Sequence, residues 1–374
     1  MSDLEHKLAE NESDPLKIYK KLQKHLNRFP IGYPQTASGV ELRILQQIFT
    51  EEEAEIATHL TIVPQKLEDI AKTFRKSRYS EVDLAEKLEQ IAKKGGIFRV
   101  RRGARVYYSN AVLAVGMFEY QLNRLTKEFV VDFEQYLREA FVKEIVQTKV
   151  PQLRVVPINI QVTEEPNRIA NYDDIRAVIK ALESPMAIAE CVCRKSKRLI
   201  GHGCNHIKES CVVIGPGAEF YLENQMARKA TKDEVLTLLD VAEKEGLIIE
   251  PGNLMEPYAI CLCCGCCCEM ITNLKKLDAP AEYVSSNHYA QVDAELCIGC
   301  GVCEERCPMD AITMQDAGEK AIAVVNRSRC IGCGVCVPTC GADAIKLKTK
   351  STLSEPPANF QELFKQIAQN KSAN

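Results

Sequence analysis

The sequence predicts an α+β, multidomain chain, helical at the front and organised around cysteine at the back. Three observations predict this. Residues up to about 149 carry helical periodicities interrupted by one short two-stranded ribbon. A strand-and-helix pattern follows over about 150–287, and two copies of one four-cysteine run occupy about 288–349. Residues 1–39 read as a helix with a linker, and 350–374 as a polar tail with one short helix near Phe360–Ala368. With 374 residues the chain has length for two or three hydrophobic cores.

Residues 14–29 form an amphipathic helix that Pro30 ends, with a Gly/Pro linker running to about Gly39. Four helical stretches come next: Val40–Phe49, Glu51–His59 behind Thr50 as cap, Lys66–Phe74 and Ser80–Lys94. Gly95-Gly96 stops the last, and Ile97–Val100 with Arg105–Tyr108 make a hairpin across Arg101–Ala104. Helices followed by a ribbon resemble a winged helix, over 40–110.

That resemblance raises DNA binding. Residues 66–105 hold twelve Lys/Arg against six Asp/Glu, and Arg99, Arg101, Arg102 and Arg105 of the ribbon are within reach of phosphates. The fourth helix opposes it, because Glu81, Asp83 and Glu86 crowd the end that would approach the bases. Docking onto a partner protein, or simple scaffolding, is therefore preferred to DNA. Phe118–Val146, inside a connecting segment 111–149, reads as one long helix. Its apolar residues Phe118, Leu122, Leu125, Phe129, Phe133, Tyr136, Ala140 and Phe141 recur at three- and four-residue steps, so a homodimer seam over 118–146 is open.

The net charge of −3 argues against a nucleic-acid coat protein. The charged start Met-Ser-Asp-Leu-Glu-His-Lys lacks a secretory core, and the longest apolar stretch, Ala111–Phe118, is too short for a membrane span. A cytoplasmic chain whose eighteen cysteines bind metal is expected.

The C-terminal cysteines carry the sharpest signal. Cys297-x2-Cys300-x2-Cys303-x3-Cys307-Pro308 is repeated 33 residues later as Cys330-x2-Cys333-x2-Cys336-x3-Cys340. Both copies contain Cys-Ile-Gly-Cys-Gly-Val-Cys, and both close on Asp-Ala-Ile, at Asp310–Ile312 and Asp343–Ile345. Turns of this spacing aim thiolates at one small cube of iron and sulfide, so eight cysteines suit two [4Fe–4S] clusters. Gly299, Gly301, Gly332 and Gly334 let backbone N–H groups approach the sulfides. Ala311–Gln315 and Ala321–Asn326 read as a hairpin on the cluster's flank. Zinc is the alternative, but zinc modules separate two C-x2-C pairs by a longer loop.

Over 288–349 the chain resembles the bacterial two-cluster ferredoxins. The resemblance implies that the fourth cysteine of each run crosses over. One cluster would then take Cys297, Cys300, Cys303 and Cys340, and the other Cys330, Cys333, Cys336 and Cys307. Gly341 stands where the first copy has Pro308, a change in the turn and not in the ligands.

In the cysteine-rich middle, Arg154–Val162 reads as a strand, Tyr172–Glu183 as a helix and Met186–Val192 as a second strand. Thr231-Lys-Asp-Glu234 is a capping box for a helix Lys232–Lys244 that Gly246 ends. Ten cysteines fall here, as Cys191, Cys193, Cys204 and Cys211, then Cys261, Cys263, Cys264, Cys266, Cys267 and Cys268. Cys261, Cys264 and Cys267 repeat the C-x2-C-x2-C spacing and can supply three corners of a cluster. Cys191, Cys193, Cys204 and Cys211 supply thiolates for another. One or two further iron–sulfur clusters are expected, with zinc as the alternative.

His202 and His206 flank Cys204 and read as loop histidines rather than ligands. Arg194, Lys195, Lys197 and Arg198 read as a solvated basic loop, or as charge balance for a cluster. Gly215-Pro216-Gly217 matches no phosphate loop, and no flavin, nicotinamide or haem motif is present. The order CVCR, CLCCGCCC, then the double run resembles multi-cluster 4Fe-4S proteins of anaerobes that carry an N-terminal winged helix, over residues 40–349. That family implies clusters but no defined reaction.

The expected function is ferredoxin-type electron transfer, passing low-potential electrons to or from a partner oxidoreductase. A redox- or oxygen-sensing winged-helix transcriptional regulator is one alternative. An iron–sulfur enzyme with an open-site central cluster is another, and no catalytic residue is assigned.

Overall fold

The computed structural model describes residues 14–74, 78–158, 172–318 and 320–373. They divide into two compact units, one within residues 14–121 and 131–144 and the other within 122–130 and 145–373. Among the described residues no helix is long and apolar enough to cross a membrane.

In the first unit, α1 (Lys17–Leu26) buries Leu22 and Leu26, and the Tyr19 hydroxyl donates to the Phe49 carbonyl at 3.0 Å. Then come α2 (Val40–Ile48), α3 (Glu51–Ala57), β1 (Gln65–Lys66), α4 (Leu67–Ala71), α5 (Glu81–Lys93), β2 (Ile97–Arg102) and β3 (Arg105–Asn110). Both expected starts are capping boxes, Thr50 with Glu53 and Ser80 with Asp83, which satisfy amide donors that a helix start leaves free. The third helix is only five residues long, because Gln65 and Lys66 pair with β3 instead. The resulting antiparallel sheet has the order β1–β3–β2.

Two details depart from expectation. Arg99 does not reach outward from the ribbon: it is 2% exposed and its guanidinium is paired with Glu89 of α5. The helix expected over 118–146 is broken. Phe118–Tyr120 is a separate short turn, and α6 (Lys127–Tyr136) begins where the Thr126 hydroxyl accepts from the Phe129 amide at 3.1 Å. A π-helical turn over Leu137–Phe141 then leads into α7 (Val142–Val146). Of the residues that suggested a seam, Phe118 stacks on Phe133 at 3.8 Å, and the Tyr136 hydroxyl donates to the Pro34 carbonyl at 2.9 Å. These side chains are buried.

The second unit centres on a five-stranded antiparallel sheet of order β6–β4–β5–β8–β7. Its elements are α8 (Ile175–Ala181), β4 (Met186–Glu190), α9 (Val192–Leu199), β5 (Glu209–Ile214), α10 (Pro216–Glu223), β6 (Ala227–Ala230), α11 (Lys232–Glu245), β7 (Ile248–Pro251), β8 (Ala259–Cys263) and α12 (Glu269–Leu274). The strand expected from Arg154 is only a set of isolated bridges, Leu153 to Gly252, Arg154 to Ser285 and Val156 to Ile249. Its continuation to 162 lies outside the described residues. Thr231 and Glu234 form the expected capping box of α11, and Gly246 closes that helix in the left-handed conformation.

Side chains alternate across a strand, and here the alternation sorts function from core. Ile188, Val212, Ile214, Ile249, Ile260 and Leu262 pack with Ile175 and Ile179 of α8 and Val235 and Leu239 of α11. Cys211, Cys261, Cys263 and Glu250 fall in the other phase of the alternation, on the opposite face.

That opposite side leads to the remaining elements, β9 (His288–Val292), α13 (Val302–Arg306), β10 (Ile312–Asp316), β11 (Ala321–Val325), β12 (Ile345–Thr349) and α14 (Phe360–Ala373). β9 pairs with β12, and β10 with β11 forms the expected hairpin. One core joins Cys263, Cys268, Ile271 and Leu274 to Met309, Ile312, Ile331, Val335 and Leu347, so it runs across residue 287 without a break. The tail is more firmly held than its polarity suggested. Leu363 and Ile367 of α14 are fully buried, and the Asn370 side chain donates to the Thr148 carbonyl at 3.0 Å.

Candidate metal centres

The two C-terminal runs adopt the same backbone. Gly299 and Gly332, Gly301 and Gly334, and Asp310 and Asp343 all have positive φ, each pair 33 residues apart. The first pair has no room for a side chain: a Cβ on Gly299 would lie 2.5 Å from the Ala321 carbonyl oxygen, and one on Gly332 2.2 Å from that of His288.

Sulfur is met by backbone donors in both halves. The Ala311 amide donates to Cys307 Sγ at 3.3 Å, and its counterpart Ala344 donates to Cys340 Sγ at 3.2 Å. The Ala290 amide donates to Cys330 Sγ at 3.3 Å. Such N–H groups stabilise charge on a thiolate, as a metal-bound cysteine requires. Without metal the setting disfavours thiolate, since burial pushes the Cys333 and Cys336 thiols well up. Buried thiols with aimed donors fit a bound cluster rather than free cysteine.

One cavity is lined by Cys297, Cys300, Cys303 and Cys340, closed by Met314, Ala323 and Ile345. Cys307, Cys330, Cys333 and Cys336 form a second set close enough to influence one another's ionisation, and Cys303 of the first set is felt at Cys336.

Residues 296–344 match the family model of the 4Fe-4S dicluster domain.

Over these matched residues the two cysteine sets differ in access. Cys300 is exposed, with Leu296, Ile298 and Val302 open to solvent beside it, whereas Cys330, Cys333 and Cys336 are all buried. No curated protein and no solved structure matches the chain. The match and the cysteine-rich segments together support [4Fe–4S] binding.

The ten central cysteines sort differently from their spacing. Cys264 and Cys267 gather with Cys266 and with Cys204, from the loop between α9 and β5. Cys261 does not join them. It lies directly across from Cys211 in the β5–β8 pairing and within hydrogen-bonding reach of Cys211 and Cys263. Cys263 reaches Cys268, Cys268 reaches Cys193, and Cys193 reaches Cys191. The two groups are thus Cys204, Cys264, Cys266 and Cys267, and Cys191, Cys193, Cys211, Cys261, Cys263 and Cys268. The strand is the cause. Cys261 and Cys263, two apart, share a face of β8, and the chain turns away at Cys264-Gly265 before α12 begins.

The basic run is a helix, not a loop. Cys191 is the N-cap of α9, and Arg194 is 1% exposed. Its guanidinium donates to the carbonyls of Ile207 at 2.8 Å and Leu262 at 2.7 Å, and also bonds the Ser210 hydroxyl. It sits where the Cys191, Cys264 and Cys263 sulfurs act on it, a fixed positive charge between the two groups. His206 is occupied by Glu245, with Nδ1 3.0 Å from its carboxylate. His202 takes part through its carbonyl, 3.7 Å from Cys267 Sγ.

Glu250 was missed. It stands opposite Cys261 on β7 and groups with Cys263 and Cys268. Burial pushes its carboxyl up to about 7, and Oε2 has no hydrogen-bond partner. The available signal was a carboxylate inside the apolar strand Ile248-Ile-Glu-Pro251.

Proposed function

We propose that this chain is an electron-transfer protein in which Cys297, Cys300, Cys303 and Cys340 hold one [4Fe–4S] cluster and Cys330, Cys333, Cys336 and Cys307 a second. The observation that carries the reading is the shared cavity of Cys340 with the first three cysteines of the other run. The six-cysteine group around Cys263 holds a further iron–sulfur cluster, charge-balanced by Arg194.

The clusters supply one-electron redox chemistry; the chain supplies access and insulation. Exposed Leu296, Ile298 and Val302 around Cys300 give the first site an apolar contact surface, bordered by exposed Asp293, Glu295, Glu304 and Glu305. A partner oxidoreductase with a basic rim fits this edge. The second site is the more buried, and the nearness of Cys303 to Cys336 gives electrons a step between the two.

The front unit is a winged helix that docks a partner protein. Helices α2 to α5 followed by the β2–β3 hairpin support this, and the burial of Arg99 together with exposed Glu81, Asp83 and Glu86 weighs against DNA.

The test is EPR of the reduced, iron-quantified protein in single-cysteine variants. Cys340→Ser should alter the same signal as Cys297→Ser and leave the one altered by Cys330→Ser. If Cys340→Ser instead reproduces the Cys330→Ser spectrum, the crossed assignment fails.

A further inference from the structure

We propose that Cys204, Cys264, Cys266 and Cys267 form a separate mononuclear zinc site, distinct from every iron–sulfur cluster of the chain.

Distance carries the argument. All four Sγ atoms lie within 4.8 Å of one another. Four thiolates about 2.3 Å from one zinc ion occupy tetrahedral corners roughly 3.8 Å apart, so the group needs little movement to close on a single ion. A cubane places an iron under each thiolate, at its own corner of the cube, and so spreads the sulfurs well beyond that spacing. The dicluster domain is the internal comparison. Among the described residues none of its eight cysteines gathers this tightly, even in threes, although all eight have cluster spacing; the other grouping this tight has only two sulfurs, Cys263 and Cys268, with the Glu250 carboxylate as its third member.

The donor set agrees. Four cysteines with no carboxylate and no water-bearing position make a closed structural site, the arrangement zinc takes when it holds loops together. Neither nearby histidine joins the group: His206 is held by Glu245, and His202 approaches Cys267 with its backbone carbonyl. Binding exchanges thiol protons for the ion, with no change of oxidation state.

The topology gives the ion a task. Cys204 comes from the loop between α9 and β5, and the other three from the turn between β8 and α12. That loop carries His202 to Ile207, whose carbonyl receives Arg194. Zinc would fasten the loop to the turn, beside the six-cysteine group. The proposal is independent of electron transfer.

The experiment is metal analysis of the full chain, purified anaerobically with its clusters intact, together with zinc-edge X-ray absorption. Wild type should contain about one zinc per chain, bound by four sulfurs near 2.3 Å. Cys204→Ser and Cys266→Ser should lose that zinc while iron content stays constant. Cys297→Ser should lose iron and keep the zinc. Absence of zinc from the wild type overturns the proposal, as does a nitrogen or oxygen ligand in its shell. Zinc retained in both serine variants, or loss of about four irons in Cys204→Ser as a cubane would require, also overturns it. Should the serine variants fail to fold, the wild-type zinc content and its sulfur shell still decide.

Discussion

Gly332 and His288 are in such close register that a Cβ on the glycine would lie 2.2 Å from the histidine's carbonyl oxygen. The glycine also has φ of +70°, and the contact lies on the edge of β9, so neither partner can withdraw without unzipping β9 from β12. Gly332→Ala should therefore destabilise the second unit by about 2 kcal/mol or more. Iron content should fall with it. Gly341→Ala is the control, because its Cβ meets nothing within 4 Å, and it should stay within about 0.5 kcal/mol of wild type. Denaturant melts with iron analysis check both.

Arg194 supplies a second prediction. Its charge is buried among sulfurs and three oxygen acceptors, and an apolar replacement leaves the Leu262 and Ile207 carbonyls and the thiolates without it. Arg194→Met should cost about 3 kcal/mol and bleach the absorbance of the central metal sites. Lys195→Met, on the same helix but in a half-exposed pair with Glu190 at 3.5 Å, should change stability by less than about 0.5 kcal/mol. Equal effects from the two variants would remove Arg194 from the central site.

The third concerns pH and the first unit. Burial holds the His25 imidazole below its ordinary 6.5, against the pull of the Leu60 carbonyl, which accepts from Nε2 at 2.7 Å. Burial does the same to His59, stacked on Phe74. Each binds a proton less readily folded than unfolded, so its contribution is intact above pH 6.5 and is lost as pH falls through the folded value. Urea midpoints should drop between pH 7.5 and 5, and His25→Gln with His59→Gln should flatten that slope. An unchanged slope in the double variant would assign the acid sensitivity elsewhere.

Local signals were legible. Thr50, Ser80 and Thr231 mark helix starts because a capping box involves neighbours in sequence. The repeated C-terminal runs were legible for the same reason. The central cysteines were not, since C-x2-C-x2-C spacing says nothing once Cys261 is held in a strand. Its partner Cys211 is set by the β5–β8 pairing, and Cys204 by where a distant loop returns. The break before α6 was present in the sequence as Thr126, an N-cap overlooked because the apolar steps on either side continue in phase.

Arg306 sits between two cysteines of the first run, yet its guanidinium donates to the Val335 carbonyl in the second run at 2.9 Å and to the Glu243 carbonyl at the end of α11 at 2.5 Å. One side chain thus bolts three segments together. The consequence is architectural inheritance. A ferredoxin cassette cut at residue 288 would lose the helix end that Arg306 binds and uncover the apolar floor it shares with Ile271 and Leu274. The duplicated unit is thus a fixture of its host, and the two have to fold together.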